Sequence, residues 1–131
     1  GGAPSRSANL SSLSLTHIEP TVMGRMCGVT TLDLSNNSLC TCIALHSLQG
    51  LVSLSLSHNA ISSLWSLLPL TSLTSLDISS NKIKSLPDLE PLLSLTRLSS
   101  LDVSSNPVSA KRSSEASAML CKALKDLELS I

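Results

Sequence analysis

Residues 70–86 read "LTSLTSLDISSNKIKSL", and their apolar spacing fits no single regular element. Leu70, Leu73, Leu76, Ile78, Ile83 and Leu86 step by three, three, two, five and three, with Asn81 in the longest gap. A strand asks for alternation, and a helix for steps of three and four along one stripe. Only Leu76-Asp77-Ile78 alternates. The pattern predicts an irregular coil with one short strand in it.

The same coil recurs along the chain. In residues 48–64, "LQGLVSLSLSHNAISSL", the positions Leu48, Leu51, Leu54, Leu56, Asn59, Ile61 and Leu64 fall in register at an offset of 22 residues. Val29, Leu32, Leu34, Asn37 and Leu39 form an earlier copy, and Leu98, Leu101, Val103, Asn106 and Val108 a later one. The repeated unit is L-x-x-L-x-L-x-x-N-x-L, present four times across residues 29–108. One unit cannot bury its own leucines, so neighbours must stack into a continuous core. Each L-x-L is then a short parallel strand, about 4.8 Å from the next. The ladder of Asn37, Asn59, Asn81 and Asn106 falls where the chain turns inward. An amide has two donor hydrogens and an acceptor, which suit backbone groups of its own turn and the next. Between strands, Ile61, Leu64, Leu67, Leu70 and Leu73 step by three, as a 3₁₀-like turn requires.

The repeat resembles that of the leucine-rich repeat family. Its short turns are similar to the subfamily of protein phosphatase-1 regulators and axonemal dynein light chains, which several centrosomal and ciliary proteins share. The resemblance implies an α/β solenoid with a curved parallel sheet on the concave face, 3₁₀ or irregular turns on the convex face, and a helical C-terminal cap. The expected organisation is a disordered tail or expression scar at 1–8 and a repeat domain at 9–131. Within it, 9–28 is a degenerate N-terminal turn with Leu10, Leu13 and Leu15 on its strand. Four full repeats fill 29–108. The cap takes 109–131, where Leu124, Leu127 and Leu129 repeat the strand spacing.

Composition narrows the function. At 131 residues the chain makes one domain. Nine Lys and Arg balance nine Asp and Glu, so no global field recruits nucleic acid or a membrane surface. A basic stripe with interleaved aromatics is absent, as is any apolar run of membrane-spanning length. Neither nucleic acid nor membrane is an expected partner. The four cysteines form no flanking clusters, which favours free thiols in a reducing, cytoplasmic setting, with cytoskeleton or cilium as the family-implied addresses. Cys40, Cys42 and His46, with Cys27 as a conceivable fourth, offer zinc-type ligands, but C-x-C-x₃-H matches no common zinc module. They read as core and surface residues, and no metal or cofactor is expected. No G-x-S-x-G elbow and no glycine-rich phosphate loop occurs, so no enzymatic activity is expected.

The outward strand positions carry the functional expectation. Ser14, Asp33, Ser55, Asp77, Asp102 and, in the cap, Glu128 stack into one stripe. Ser12, Thr31, Ser53, Ser75 and Ser100 flank it. The stripe reads either as a binding face for a basic or amide-rich segment of a protein partner, or as the polar surface that any exposed parallel sheet needs. His58 on one rim and Trp65 at the convex surface extend the candidate partner-binding set. Residues 34–76 contain no Asp, Glu, Lys or Arg, which leaves them poorly protected against weak homo-association. The function that follows is non-catalytic protein–protein interaction by a scaffold or adaptor. The alternatives are a regulatory subunit of protein phosphatase-1 and a structural or dimerisation domain of a longer protein.

Overall fold

The computed structural model describes residues 6–26, 28–84, 86–107 and 129–130. Six strands form one parallel sheet in chain order: β1 (Ser7–Asn9), β2 (Thr31–Asp33), β3 (Ser53–Ser55), β4 (Ser75–Asp77), β5 (Ser100–Asp102) and β6 (Leu129–Ser130). Each turn returns through the opposite layer. That layer contains α1 (Pro20–Arg25) and three 3₁₀ helices, at Ile43–Ser47, Trp65–Leu67 and Leu86–Ser94. The chain is a curved solenoid with its sheet on the concave side.

The register is the repeat made visible. Leu32 pairs with Leu54, Leu54 with Leu76 and Leu76 with Leu101. These leucines and the steps of three behind them form one core: Leu45, Leu48, Leu64, Leu67, Leu70, Leu89, Leu92 and Leu95 are all buried. A 3₁₀ turn eclipses residues three apart, so every third side chain points inward, and the positions between take serine, threonine, charge and a few exposed apolar residues such as Ile43, Trp65 and Leu93.

The asparagines close the turns. Asn81 Nδ2 donates to the carbonyls of Ile78 (3.1 Å) and Ser79 (3.0 Å) in its own turn and of Leu56 (2.8 Å) in the turn before. Its Oδ1 accepts from Ile61 N–H at 3.0 Å. Asn106 repeats the pattern toward Ile78, Val103 and Ser104, and accepts from the N–H groups of Asn81 and Ile83. Asn59 reaches Leu34 and Leu39, and Asn37 reaches Leu10, Leu13 and Leu15. The amides therefore serve their own turn and the preceding one, rather than the following one. The residue before each asparagine, namely Asn36, His58, Ser80 or Ser105, has φ of 56–58°. This left-handed step turns the next side chain inward.

Both ends differ from expectation. The first strand is Ser7–Asn9, pairing Ser7 with Thr31, Ala8 with Leu32 and Asn9 with Asp33. Leu13 and Ser14 lie beyond it, in the turn, and Ser7 and Ala8 belong to the sheet rather than to a disordered tail. Ser12 (φ 57°) takes the left-handed step, so Leu13 occupies the seat that asparagine fills in later turns, and it is 55% exposed. At the other end Leu129 pairs with Leu101 and Ser130 with Asp102, so Ser130 rather than Glu128 continues the stripe. The expected cap helix and the rest of 108–128 lie outside the described residues.

Candidate protein-binding face

The concave row is Asn9, Asp33, Ser55, Asp77, Asp102 and Ser130, one residue per strand and neighbours by register. Asp77 and Asp102 are adjacent, and Ser55 separates Asp33 from Asp77. Ser12 and Ser14 drop out of the two rows, and Ser7 stands beside Thr31, Ser53, Ser75 and Ser100 in the second.

The carboxylates are anchored within their own turns. Asp33 Oδ1 accepts from Ser35 N–H at 2.9 Å and from Ser35 Oγ at 2.6 Å. Asp77 does the same with Ser79 (2.9 and 2.7 Å), and Asp102 with Ser104 (2.9 and 2.6 Å). Asn9 makes the same pair of bonds to Ser11 through its amide oxygen. Sequence reasoning missed this clamp, whose trace in the sequence is the recurrence of one spacing at one repeat position: Asn9-x-Ser11, Asp33-x-Ser35, Asp77-x-Ser79 and Asp102-x-Ser104. It is also the signal that identifies β1, because Asn9 aligns with the acids. In β3 the seat holds Ser55, a hydroxyl in place of a carboxylate.

Further along the same face, hydroxyls cap carbonyls of the preceding strand. Thr30 Oγ1 donates to Arg6 O, Thr74 Oγ1 to Val52 O and Ser99 Oγ to Thr74 O, each at 3.2 Å. The concave surface is thus polar and largely self-satisfied, with Val52 its exposed apolar residue.

The remaining candidates sit elsewhere. His58 is exposed on the rim just past β3. Trp65 opens a convex 3₁₀ helix and is 57% exposed, and Ile43 opens the neighbouring one, 62% exposed. Neither His58 nor Trp65 joins the acid row. Cys42 is buried, and its thiol points to Ser63 O at 3.5 Å. Burial pushes its pKa from 9.0 up to about 11, with a backbone hydrogen bond opposing. Cys40 is exposed, and both thiols are free. His46 turns its ring nitrogen to Ile43 O. Among the described residues no three His, Cys, Asp or Glu side chains converge as a metal site would need. No described helix is long and apolar enough to cross a membrane.

Comparison with known proteins agrees with this architecture. A chain in the crystal structure of the Drosophila melanogaster SNF/U2A' complex is 30% identical, with a TM-score of 0.68, covering 80% of this chain and 61% of that one. An internalin (inlF) from Listeria monocytogenes is 25% identical, with a TM-score of 0.70, covering 88% of this chain and 31% of its own. A leucine-rich repeat protein of Leptospira interrogans is also 25% identical, with a TM-score of 0.71, covering 88% and 28%. This chain therefore spans between about a quarter and three fifths of those proteins' lengths. No curated protein matches the sequence. A family model described as leucine-rich repeat matches residues 9–129, nearly the whole chain, and the protein belongs to the leucine-rich repeat family.

Proposed function

We propose that this domain is a protein–protein interaction module whose concave sheet takes a basic or amide-rich segment of a partner. The observation that carries the reading is the clamp: Asp33, Asp77 and Asp102 are each held by a serine two residues on. A carboxylate already fixed in one rotamer loses little side-chain entropy when a cation meets it, and such preorganisation favours affinity. Thr31, Ser53, Ser75 and Ser100 add hydroxyls beside the acids, and the His58 rim lies at the face's edge. In a eukaryotic intracellular scaffold or adaptor, cytoskeletal or ciliary partners fit the subfamily that the repeat resembles. A regulatory subunit of protein phosphatase-1 would use the same acids, but the chain offers neither Phe nor Tyr to accompany them.

The test replaces Asp33, Asp77 and Asp102 together with asparagine. Asn9 already makes the clamp with an amide oxygen, so this variant keeps the fold and removes only charge. Both proteins are panned against a displayed peptide library. The expected result is enrichment of basic sequences by wild type, lost in the variant and weakened by salt. Identical selections by both would end the reading.

A further inference from the structure

The N-terminal end of the solenoid is built differently from every joint between its turns. β1 bonds to β2 through one side: Thr31 N–H donates to Arg6 O, Leu10 N–H donates to Asp33 O, and Ala8 pairs with Leu32 between them. In a parallel ladder alternate residues face alternate neighbours, so the backbone groups of Ser7 and Asn9 face outward from the sheet's edge. Beside that edge Ala8, Leu10, Leu15 and Ile18 are only partly buried against the core, and Leu13 is 55% exposed. The joint that would stack a further repeat here lacks its polar half. Asn37, Asn59, Asn81 and Asn106 each reach back one turn, but the equivalent seat in the first turn holds Leu13, which has no amide to offer.

We propose that this edge docks the same edge of a second copy, by antiparallel pairing of β1 across a two-fold axis. Three observations select that occupant. The outward groups of Ser7 and Asn9 flank the inward Ala8 symmetrically. Placing Ala8 opposite its mate lets Ser7 of each copy exchange N–H···O bonds with Asn9 of the other, satisfying all four exposed donors at once. An axis perpendicular to the sheet keeps both apolar interiors on one side, so Leu10, Leu15 and Ile18 of each copy meet a continuation of their own core. Finally, residues 7–16 contain no Asp, Glu, Lys, Arg or His, so the surface meets itself without like-charge repulsion. Exposed edge strands are natural templates for such pairing unless charge or proline blocks them, and neither occurs within β1.

The 131-residue protein is examined by sedimentation equilibrium over a concentration series, with amide hydrogen exchange on the same samples. Dimer formation should protect the Ser7 and Asn9 amides as concentration rises, while Ala8, already paired to β2, stays protected throughout. Ser7→Pro removes an outward donor at a position where proline suits an edge strand. It should weaken the dimer by about tenfold or more and leave unchanged the urea midpoint read at concentrations low enough for both proteins to be monomeric. Leu13→Asp, an independent variant, should weaken it comparably. A wild type that stays monomeric throughout would overturn the proposal. So would a dimer indifferent to both variants, or one abolished by Trp65→Ser, which would assign the contact to the convex Ile43–Trp65 surface.

Discussion

Substituting Asn81 with alanine isolates what one rung of the ladder contributes. The side chain is 6% exposed and makes four hydrogen bonds, but the four losses are unequal. Leu56 O keeps Asn59 Nδ2 as a donor, Ile78 O keeps Asn106 Nδ2, and Ser79 O keeps the N–H of His58. Ile61 N–H, on a residue with no solvent exposure, loses its Asn81 acceptor with no second one in place. One orphaned buried donor costs about 1–3 kcal/mol. Weakened solvation of three carbonyls adds a smaller amount, so the expected loss is about 2–3 kcal/mol. With a urea slope of about 1–3 kcal/mol per molar for a protein of this size, the midpoint should fall by about 1 M. Asn81→Asp sharpens the test. An aspartate still accepts from Ile61 N–H, but its second oxygen then faces the Leu56, Ile78 and Ser79 carbonyls with negative charge in place of two donors. At neutral pH it should be less stable than the alanine variant, because a buried unpaired charge costs more than a missing group. Equilibrium urea unfolding followed by circular dichroism reads all three proteins. An alanine midpoint equal to wild type, or an aspartate variant at least as stable as the alanine one, would refute the reasoning.

Other predictions follow from the same geometry. In a double-mutant cycle over Asp77→Ala and Ser79→Ala, thermal or urea unfolding should give a coupling of about 0.5–1.5 kcal/mol for the Oγ–Oδ1 bond. Ser55→Asp would complete the row of clamps but set a third charge between Asp33 and Asp77, so its stability relative to wild type should rise as sodium chloride is added. Cys40 should react with a soluble thiol reagent in the folded protein while Cys42 does so only on unfolding, as peptide mapping of the labelled chain would show. For Cys42 the folded thiol keeps its proton to about 11, whereas an exposed thiol of the unfolded chain loses it near 9.0. The unfolded chain therefore loses that proton first, and this contribution to stability is full below pH 9 and declines as pH rises toward 11.

The four central turns were legible because leucine spacing and asparagine position repeat together, and a solenoid converts that repetition directly into register. The 3₁₀ layer was legible for the same reason, since steps of three leave one geometry that buries every marked residue. The first turn was not. Leu13-Ser14-Leu15 imitates the strand pattern, while the real strand carries Ala8 at the leucine position, and two of its three residues, Ser7 and Ala8, lie within the 1–8 expected as tail. Only the Asn9-x-Ser11 clamp distinguishes the two, and its meaning depends on seeing Asp33 bonded to Ser35. The acid row was legible as a row, apart from its two ends. That its members are already hydrogen-bonded was not, because a carboxylate two residues before a serine is common and marks a clamp only on a backbone that bends between them.

Because each asparagine completes the backbone of the turn before it, the ladder has a direction. A turn emerging from the ribosome exposes its own leucines and also leaves amides such as Ile61 N–H waiting for a side chain some twenty residues further on. Synthesis proceeds from the N-terminus and is slow compared with local folding. Throughout translation, then, the newest turn is always the unfinished one, and each later asparagine locks its predecessor as it arrives. A pause just before the codon for Asn59, Asn81 or Asn106 would hold a nascent chain one amide short of a closed turn, the state most open to chaperones or proteases.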